Sequence, residues 1–217
     1  MTDFLFIRHG ETPWNREHRF QGQADPPLTD WGRQQAARLG ARLAGERVDA
    51  LISSDLLRAR QTAEPLAQAW KMTPVLRPRL REQAFGDLEG LDVPTIQARF
   101  PELWTRWLEQ RGDFALPGGG ESLRSFHARV LADVQELAGL YPGRVLAVVT
   151  HGGVLDMLWR SVHGLPLDGL RQCEIPNTGI NRLRWVGDGL QLVGWADAAH
   201  LDGLVEPLPA TTAGACA

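Results

Sequence analysis

The sequence predicts an α/β fold: a three-layer sandwich whose mostly parallel central sheet has helices on both faces and a late antiparallel hairpin. Short apolar runs alternate along the chain with segments of helical periodicity, which is typical of α/β proteins. Apolar runs without polar alternation indicate strands buried on both faces. Late in the chain, Gly187-Asp188-Gly189 separates two β-prone segments and predicts a turn between antiparallel strands.

Three apolar runs are the main predicted strands, and they span residues 4–7, 48–53 and 145–150. Each run is followed by polar or glycine residues. Parallel strands would therefore bring these residues to one edge of the sheet. A short further strand is expected near residues 75–77, and the hairpin is predicted to pair residues 180–186 with residues 190–195.

Four segments have the pattern of helices that pack one face against a sheet. Thr29 or Asp30 can cap a helix that runs to about residue 44, and Ser54 can cap a helix over residues 55–70. From residue 123 to residue 137, apolar side chains recur every three or four positions. The same spacing recurs over residues 154–162.

A chain of 217 residues is long enough for one domain with a sizeable core, and we predict a single domain over residues 1–204. The less regular segment at about 84–120 is interpreted as an insertion over the site, with a short helix near residues 102–110. We expect substrate selectivity to come from this insertion. Residues 205–217, rich in Pro, Ala and Thr, are predicted to be a flexible tail.

Composition limits the classes of partner. The net charge of −3 gives no reason to expect a nucleic-acid partner, and no apolar run is long enough to predict a membrane span. Cys173 and Cys216 do not suggest a disulfide framework, and the N-terminal segment lacks the pattern of a signal peptide. We therefore expect a cytoplasmic protein without a membrane partner. The oligomeric state stays open, with a homodimer among the options.

The ends of the predicted strands carry the residues that indicate a function. Arg8 and His9 follow the first strand, Arg58 lies early in the helix after the second, and His151 follows the strand at 145–150. Guanidinium groups bind phosphate oxygens in pairs, and a neutral imidazole can attack phosphorus near pH 7. Gly152 would begin a helix whose free N–H groups suit an anion. The set predicts a phosphate-handling enzyme in which an imidazole acts as the nucleophile.

A leaving oxygen needs a proton, and a carboxyl group after the short strand near residues 75–77 can supply it. Glu82 is a plausible general acid if burial keeps it protonated. Its neighbours Asp87 and Glu89 are weaker candidates, and Glu89 is expected to be structural.

Four motifs in order carry a family resemblance. They are Arg8-His9-Gly10-Glu11-Thr12 with its continuation to residue 36, then residues 53–63, then residues 80–90, and finally Val149-Thr150-His151-Gly152-Gly153. Together they resemble the histidine phosphatase superfamily, which includes cofactor-dependent phosphoglycerate mutases. The resemblance extends from residue 4 to about residue 185.

The resemblance implies a role for each matched residue. His9 would be the phosphorylated nucleophile, and Glu82 the proton donor. The groups expected to bind the transferred phosphoryl group are Arg8, Arg58 and His151, and Asn15 and the backbone of Gly22 would line the phosphate pocket. The family uses no metal in this chemistry, and we predict neither a metal nor a cofactor.

The resemblance leaves the activity to be chosen. Residues 85–90 resemble the phosphatase members more, and the insertion is short, although it contains Arg99, Arg106 and Arg111. We predict a phosphomonoesterase, a phosphoric monoester hydrolase of a small phosphorylated metabolite that reacts through a phosphohistidine on His9. The alternative is a cofactor-dependent phosphoglycerate mutase. A non-enzymatic phosphoprotein-binding module would predict a damaged site, whereas the matched residues are all present.

Some residues outside the motifs also need an interpretation. His18, His127, His163 and His200 are expected to have no role in the site. Trp104 and Trp107, in the insertion, either belong to the core or wall an apolar substrate pocket, and the sequence does not decide between these two interpretations.

Overall fold

The structure is a computed structural model, and it describes residues 1–109, 112–169 and 171–205. Its six-stranded sheet has the order β3-β2-β4-β1-β5-β6. The strands are β1 (Thr2–Arg8), β2 (Ala50–Ser53), β3 (Val75–Leu76), β4 (Val145–Thr150), β5 (Ile180–Val186) and β6 (Gly189–Asp197). Strands β1 to β4 run parallel, β5 is antiparallel to β1, and β6 is antiparallel to β5. The predicted fold class and the late hairpin are confirmed.

Seven helices lie in the described ranges, together with 3-10 turns at Pro78–Leu80, Gly86–Leu88 and Ala199–Leu201. The helices are α1 (Pro13–Arg16), α2 (Asp30–Leu43), α3 (Leu57–Trp70), α4 (Val93–Arg99), α5 (Pro101–Glu109), α6 (Leu123–Leu140) and α7 (Gly152–His163). Within these ranges no helix is both long and apolar enough to span a membrane. Of the predicted tail only Val205 is described, and residues 206–217, including Cys216, lie outside the described residues.

The three layers follow from the alternation of side chains along β1. Phe4 and Phe6 point to one face, where they join a core cluster with residues of α6 and α7. Leu5 and Ile7 point to the other face and pack with residues of α2 and α3. Because side chains on a strand alternate between faces, a continuously apolar strand must be covered on both sides.

Of the two predicted helix caps, the one at Thr29 is correct and the one at Ser54 is wrong. The Thr29 and Ser122 hydroxyls each accept a backbone N–H at the start of α2 and α6. Ser54 does not cap α3, which begins at Leu57 without a side-chain cap, because its hydroxyl is used in the site. At the other end of α3, Lys71 closes the helix in the left-handed conformation, with φ of 54°.

The insertion has a small core of its own. Leu88, Ile96, Trp107 and Leu116 are buried together, and aromatic residues pack around them. The helix predicted near residues 102–110 is α5, whose described part ends at Glu109, whereas α4 was not predicted. Trp107 is only 4% exposed, so it belongs to this core. Gln110 and Arg111 lie outside the described residues.

Candidate active site

The strand register brings the two histidines of the motifs together. Arg8 of β1 lies opposite Thr150 of β4, so the next residues, His9 and His151, leave the sheet side by side. Their ring centroids are 5.3 Å apart. Strand β2 ends beside the same part of β4, since Ser53 lies opposite Val149. The predicted convergence at the carboxyl edge of the parallel strands is therefore observed.

His9 is buried in a form that suits nucleophilic attack. The side chain is 3% exposed, and Nδ1 lies 2.7 Å from the Gly10 carbonyl oxygen. A carbonyl only accepts, so Nδ1 carries the proton and Nε2 keeps its lone pair. Burial, followed by the charges of Arg58 and Arg8, holds the pKa of His9 well below its usual range. The imidazole is therefore neutral near pH 7.

The backbone around His9 is held from both sides of the sheet. On one side, Gly10 N–H donates to the Thr62 hydroxyl at 2.9 Å. On the other, the Asn177 side-chain amide donates to the His9 carbonyl at 2.9 Å, and Thr178 N–H donates to the Arg8 carbonyl at 3.0 Å. Thr178 has φ of 56°, which is uncommon for a β-branched residue. These contacts fix the direction in which the imidazole points.

Arg58 is fully buried and has no carboxylate partner among the described residues. Its Nη1 and Nη2 atoms donate to the carbonyls of Ala24 and Gly22, each at 2.7 Å, while Nε has no partner in the described chain. Gly22 adopts φ of 51°, which turns its carbonyl toward the guanidinium. Burial lowers the pKa of Arg58 to about 10, so the group stays charged. A buried charge whose hydrogen bonds within the described chain go to carbonyl oxygens favours binding of an anion.

Arg8 adds a second guanidinium, which is half-buried. Its Nη1 donates to the Ile175 carbonyl at 2.6 Å, and its Nε finds no partner among the described residues. Burial and then the nearby charge of Arg171 lower the pKa of Arg8 to about 10, against the opposing effect of Glu82. Like Arg58, Arg8 therefore stays positively charged near neutral pH.

His151 is held by Ser54, a residue that sequence reasoning assigned to helix capping. The His151 Nε2 atom lies 2.8 Å from the Ser54 hydroxyl oxygen, which also accepts from Leu56 N–H at 3.4 Å. The Ser54 hydroxyl donates to Nε2 in the tautomer that carries the His151 proton on Nδ1. That Nδ1 is buried without a partner in the described ranges and can donate to an anion. Burial, then the charge of Arg58, lowers the pKa of His151 well below its usual range.

Glu82 lies at the beginning of α7. Its Oε2 accepts from Gly153 N–H at 2.9 Å, and its Oε1 accepts from Gln83 N–H at 3.0 Å. A Cβ at position 153 would lie 2.1 Å from Oε1, so this approach requires glycine. The carboxyl is half-buried and lines the cleft, whereas the sequence argument assumed burial.

Glu89 has the structural role that was expected. Its carboxylate accepts the backbone N–H groups of Gln23 and Ala24, each at 2.8 Å, and of Phe85 at 3.1 Å. It thereby joins the segment after Gly22 to the start of the insertion. The carbonyls of Gly22 and Ala24 that receive Arg58 are held in place by the same contacts.

Asn15 and Gly152 complete the predicted set. The Asn15 Oδ1 atom accepts from the backbone N–H and the hydroxyl of Thr12, both at 3.1 Å, so its amide NH₂ is the group left to donate to a ligand. Gly152 is the first residue of α7, and its N–H has no acceptor within the helix. Both lie beside the cluster of Arg8 and His9.

A cleft of about 490 Å³ opens over this site. We call the phosphate-binding and catalytic groups at its base the floor of the cleft, and they belong to Arg8, His9, Asn15, Arg58, Glu82, His151 and Gly152. The residues that line the cleft are Arg8, His9, Trp14, Asn15, His18, Arg19, Phe20, Gln21, Gly22, Arg58, Glu82, Phe85, Arg171 and Asn177. His151 lies behind His9, fully buried. Among the described residues of the insertion only Phe85 lines this cleft, so the expectation that selectivity comes mainly from 84–120 is not supported.

Several lining residues were missed by sequence reasoning. His18 was expected to stay outside the site but lies in the cleft wall. Asn177 comes just before β5, and because β5 is antiparallel to β1, its first residues lie at the edge where β1 ends. That position could have been inferred from the predicted hairpin. Ser54 could have been inferred from its place at the end of β2, whereas no pattern in the sequence indicates Arg171.

The donor set does not suggest a metal centre in the part of the chain that is described. No three His, Cys, Asp or Glu residues there are grouped so that they could hold a metal ion. The groups that meet in the cleft are guanidinium and imidazole donors with one carboxyl, a set that suits a phosphate group.

Sequence comparison gives the same assignment as the geometry. The model of the histidine phosphatase superfamily (branch 1) matches residues 4–198. Phosphoglycerate mutase-like protein 4 of Arabidopsis thaliana is 38% identical over 204 residues, which cover 92% of this chain and 87% of the relative. The probable phosphoglycerate mutase GpmB of Salmonella choleraesuis is 35% identical over 207 residues, covering 93% and 96%.

Solved structures share the fold over nearly the whole chain. YhfR of Bacillus stearothermophilus has a TM-score of 0.84 at 33% identity, covering 93% of this chain and 100% of that one. A mycobacterial glucosyl-3-phosphoglycerate phosphatase, solved with VO3, has a TM-score of 0.77 at 30% identity, covering 89% and 98%. A histidine-to-alanine variant of Entamoeba histolytica phosphoserine phosphatase, in complex with phosphoserine, has a TM-score of 0.80 at 25% identity, covering 93% and 100%. With the motifs, their geometry and these matches in agreement, the chain belongs to branch 1 of the histidine phosphatase superfamily.

Proposed function

We propose that this protein is a phosphomonoesterase that hydrolyses a small phosphorylated metabolite through a phosphohistidine on His9. The observation that carries the proposal is the buried, neutral His9, whose Nδ1 is tied to the Gly10 carbonyl. Beside it lie two guanidinium groups without carboxylate partners in the described chain, that of Arg58, which is buried, and that of Arg8, which is half-buried. A nucleophile with its lone pair on Nε2 and a ready anion site is what phosphoryl transfer requires.

In the first step, His9 Nε2 forms a bond to phosphorus while the bond from phosphorus to the ester oxygen breaks. Arg8, Arg58, Asn15 and the Nδ1–H of His151 bind the phosphoryl oxygens, and the N–H of Gly152 adds a backbone donor. Glu82 gives its proton to the ester oxygen, which leaves as an alcohol. The transferred charge is stabilised by donors that are already in place before the substrate arrives.

In the second step, water attacks the phosphohistidine. Its proton goes to the Glu82 carboxylate, the bond between phosphorus and Nε2 breaks, and inorganic phosphate leaves. His9 returns to its neutral form and Glu82 to its protonated form, so the enzyme is ready for another substrate. The backbone contacts to Gly10 and His9 hold the ring in the same direction through both steps.

Hydrolysis is favoured over mutase activity by the outer part of the cleft. A mutase must hold its acceptor and exclude water, which needs additional basic contacts and a closed rim. Arg99 and Arg106 of the insertion stack on Phe100 and Phe114 instead of lining the cleft, and Arg111 lies outside the described residues. His18 and Arg19, on the cleft wall, are exposed. Two of the solved relatives are also named as phosphatases.

Phosphoglycerate mutase activity is the second candidate, because both curated relatives carry that description. The deciding experiment measures release of inorganic phosphate from p-nitrophenyl phosphate and 3-phosphoglycerate without 2,3-bisphosphoglycerate, together with trapping of an acid-labile phosphoenzyme. Phosphate release at catalytic rates supports the phosphomonoesterase. Isomerisation that depends on the bisphosphate, without phosphate release, would establish the mutase instead.

The cell compartment and the partners are also part of the proposal. We infer a cytoplasmic enzyme whose partner is a small phosphorylated metabolite. A protein that binds phosphorylated ligands but turns over none of a broad panel of phosphate esters would instead be a binding module on the same fold.

A further inference from the structure

One arginine in the cleft has no part in the reaction described above. Arg171 lines the same cavity as His9 and Arg8, and its side chain is 46% exposed. It donates no hydrogen bond to any residue that the structure describes. Its ion-pair contact there is Oδ1 of Asp156, 3.9 Å from Nε, which is too long for a hydrogen bond. The donors of this guanidinium are therefore available to a ligand.

The position of Arg171 places it next to the phosphate floor. A Cβ at Gly152 would lie 3.5 Å from Nε of Arg8 and 3.9 Å from Nη1 of Arg171, so the two guanidinium groups flank the first residue of α7. Two cations so close repel each other when the cleft is empty. An anion between or beside them removes that repulsion.

The loop that carries Arg171 is fixed to α7 by a buried arginine. Arg160 is 3% exposed and donates to the carbonyls of Pro166 at 2.6 Å, Asp168 at 3.1 Å and Gly169 at 3.2 Å. Its Nε also donates to Oδ2 of Asp156 at 3.0 Å. The backbone leading to Arg171 is thus tied to the helix that begins at the phosphate floor. Arg160 acts as a positioning residue.

The other arginine of the cleft wall provides a contrast. Arg19 donates to the Glu17 carboxylate at 2.5 Å and to the Gly90 carbonyl at 2.8 Å, so its charge and donors are already engaged. Arg8 and Arg58 are committed to the phosphoryl group in the proposed reaction. Arg171 is therefore the cation of the described cleft that a second group of the substrate can use.

We infer that Arg171 binds a second anionic group of the substrate, so that the cleft selects phosphate monoesters that carry a carboxylate or another phosphate close to the ester. This inference rests on the proposed function. A guanidinium binds either group through paired N–H donors, which explains why an arginine suits this position. Arg171 then determines specificity, whereas the floor carries out the chemistry.

The test compares substrates that differ in the second group alone. The pair 3-phosphoglycerate and glycerol 3-phosphate shares a three-carbon skeleton and differs in a carboxylate. The pair glycerol 2,3-bisphosphate and glycerol 3-phosphate differs in a phosphate on the neighbouring carbon. We expect Arg171→Gln to lower kcat/KM for the anionic member by about 10- to 100-fold more than for its partner. The pair with the larger change identifies the group that is recognised. Arg171→Lys should retain part of the preference.

Arg33→Gln is the matched control. Arg33 is exposed, pairs with Asp30 at 3.0 Å and lies outside the cleft. Its replacement by glutamine removes one positive charge, as Arg171→Gln does. An equal loss for both members of each pair in Arg171→Gln would mean that Arg171 holds the scissile phosphoryl group, which overturns the inference. Unchanged kinetics with every substrate would overturn it as well.

A binding measurement separates this inference from the proposed function. In a His9→Ala background, which cannot form the phosphohistidine, calorimetry gives Kd for 3-phosphoglycerate and glycerol 3-phosphate with and without Arg171→Gln. A preference for the carboxylate that Arg171→Gln removes supports the subsite even if the wild-type protein hydrolyses neither ester. If Arg171→Gln leaves Kd unchanged for both esters, the subsite is refuted even if the protein is an active phosphatase.

Discussion

The floor of the cleft and the insertion at 84–120 are built in opposite ways. In the floor, polar side chains such as Arg58 and His151 are completely buried, and backbone carbonyls or a hydroxyl satisfy them. In the insertion, the buried residues are apolar, with Trp107 at the centre of an aromatic cluster. Among its described residues, Phe85 alone reaches the cleft wall.

The difference separates chemistry from support. Sheet topology fixes the floor, because His9 and His151 are neighbours whenever β1 pairs with β4 in this register. The insertion reaches the cleft wall through Phe85, whose ring centroid lies 6.4 Å from that of Trp107. The ring of Trp107 also packs against Phe20, a cleft residue outside the insertion, with 5.6 Å between the centroids. Substitutions in the floor should therefore change the chemical step, and substitutions in the aromatic cluster should change substrate preference and local stability.

The strongest test of the floor is His9→Ala. Turnover should fall by about 10⁵-fold and the acid-labile phosphoenzyme should disappear, because no other group is placed for attack on phosphorus. His163→Ala, an exposed histidine outside the cleft, should keep wild-type activity. Phosphoenzyme that persists in His9→Ala at wild-type level would place the nucleophile elsewhere.

The next largest effect is expected for Glu82→Gln, and it should depend on the leaving group. For alkyl phosphates we expect phosphorylation to slow by about 10²- to 10³-fold, since the alkoxide needs a proton. For p-nitrophenyl phosphate the change should be much smaller, because p-nitrophenolate leaves without one. Rapid-quench measurement of phosphoenzyme formation gives the loss of rate for an alkyl phosphate and for p-nitrophenyl phosphate separately. Equal losses would show that Glu82 is not the proton donor.

A smaller effect is expected for Ser54→Ala. Without the hydroxyl, nothing holds the His151 proton on Nδ1, and we expect kcat/KM to fall by about tenfold. Ser54→Thr keeps the hydroxyl and should recover most of the activity. Thermal unfolding of both variants monitors the contribution of Ser54 to stability. If alanine and threonine behave alike, the hydroxyl does not orient His151.

The smallest effect on turnover is expected from the aromatic cluster. Trp107→Ala should leave phosphoenzyme formation from p-nitrophenyl phosphate within about threefold of wild type, as expected if the aromatic cluster and the floor open independently. The substitution should nevertheless cost about 3–5 kcal/mol of local stability, seen as faster hydrogen exchange in α4 and α5. Trp104→Ala, at a half-buried position of the same cluster, should cost less. A loss of about 100-fold or more in phosphoenzyme formation from p-nitrophenyl phosphate would show that the two regions are coupled.

The contrast between the floor and the irregular segments around it also explains how much of the structure the sequence could predict. The apolar runs and their polar ends predicted β1, β2 and β4. Because the carboxyl ends of parallel strands meet at one edge of the sheet, the same pattern predicted the convergence of Arg8, His9, Arg58 and His151. The cap at Thr29 was predictable from local chemistry. Ser54 was assigned wrongly because a serine before a helix can cap it or turn toward a neighbour, and only the position of His151 decides.

The outer wall of the cleft could not be predicted in this way. His18 and Arg171 lie on irregular segments whose course depends on long-range contacts, such as the hydrogen bonds of Arg160 to the carbonyls before Arg171. No periodic pattern records such contacts. The choice between core and pocket wall for Trp107 likewise depended on the packing of two helices, one of which the sequence did not reveal.

The end of α3 has a practical consequence. Lys71 is the single lysine of the sequence, it is exposed, and it follows a helix that begins beside the cleft with Arg58. At 1.5 Å per residue, the helix carries its amine about 20 Å away from the catalytic groups. A fluorophore or a solid support attached through side-chain amide coupling would therefore sit at one defined place. Molecules immobilised through the Lys71 amine would share one orientation, with the cleft facing the solution.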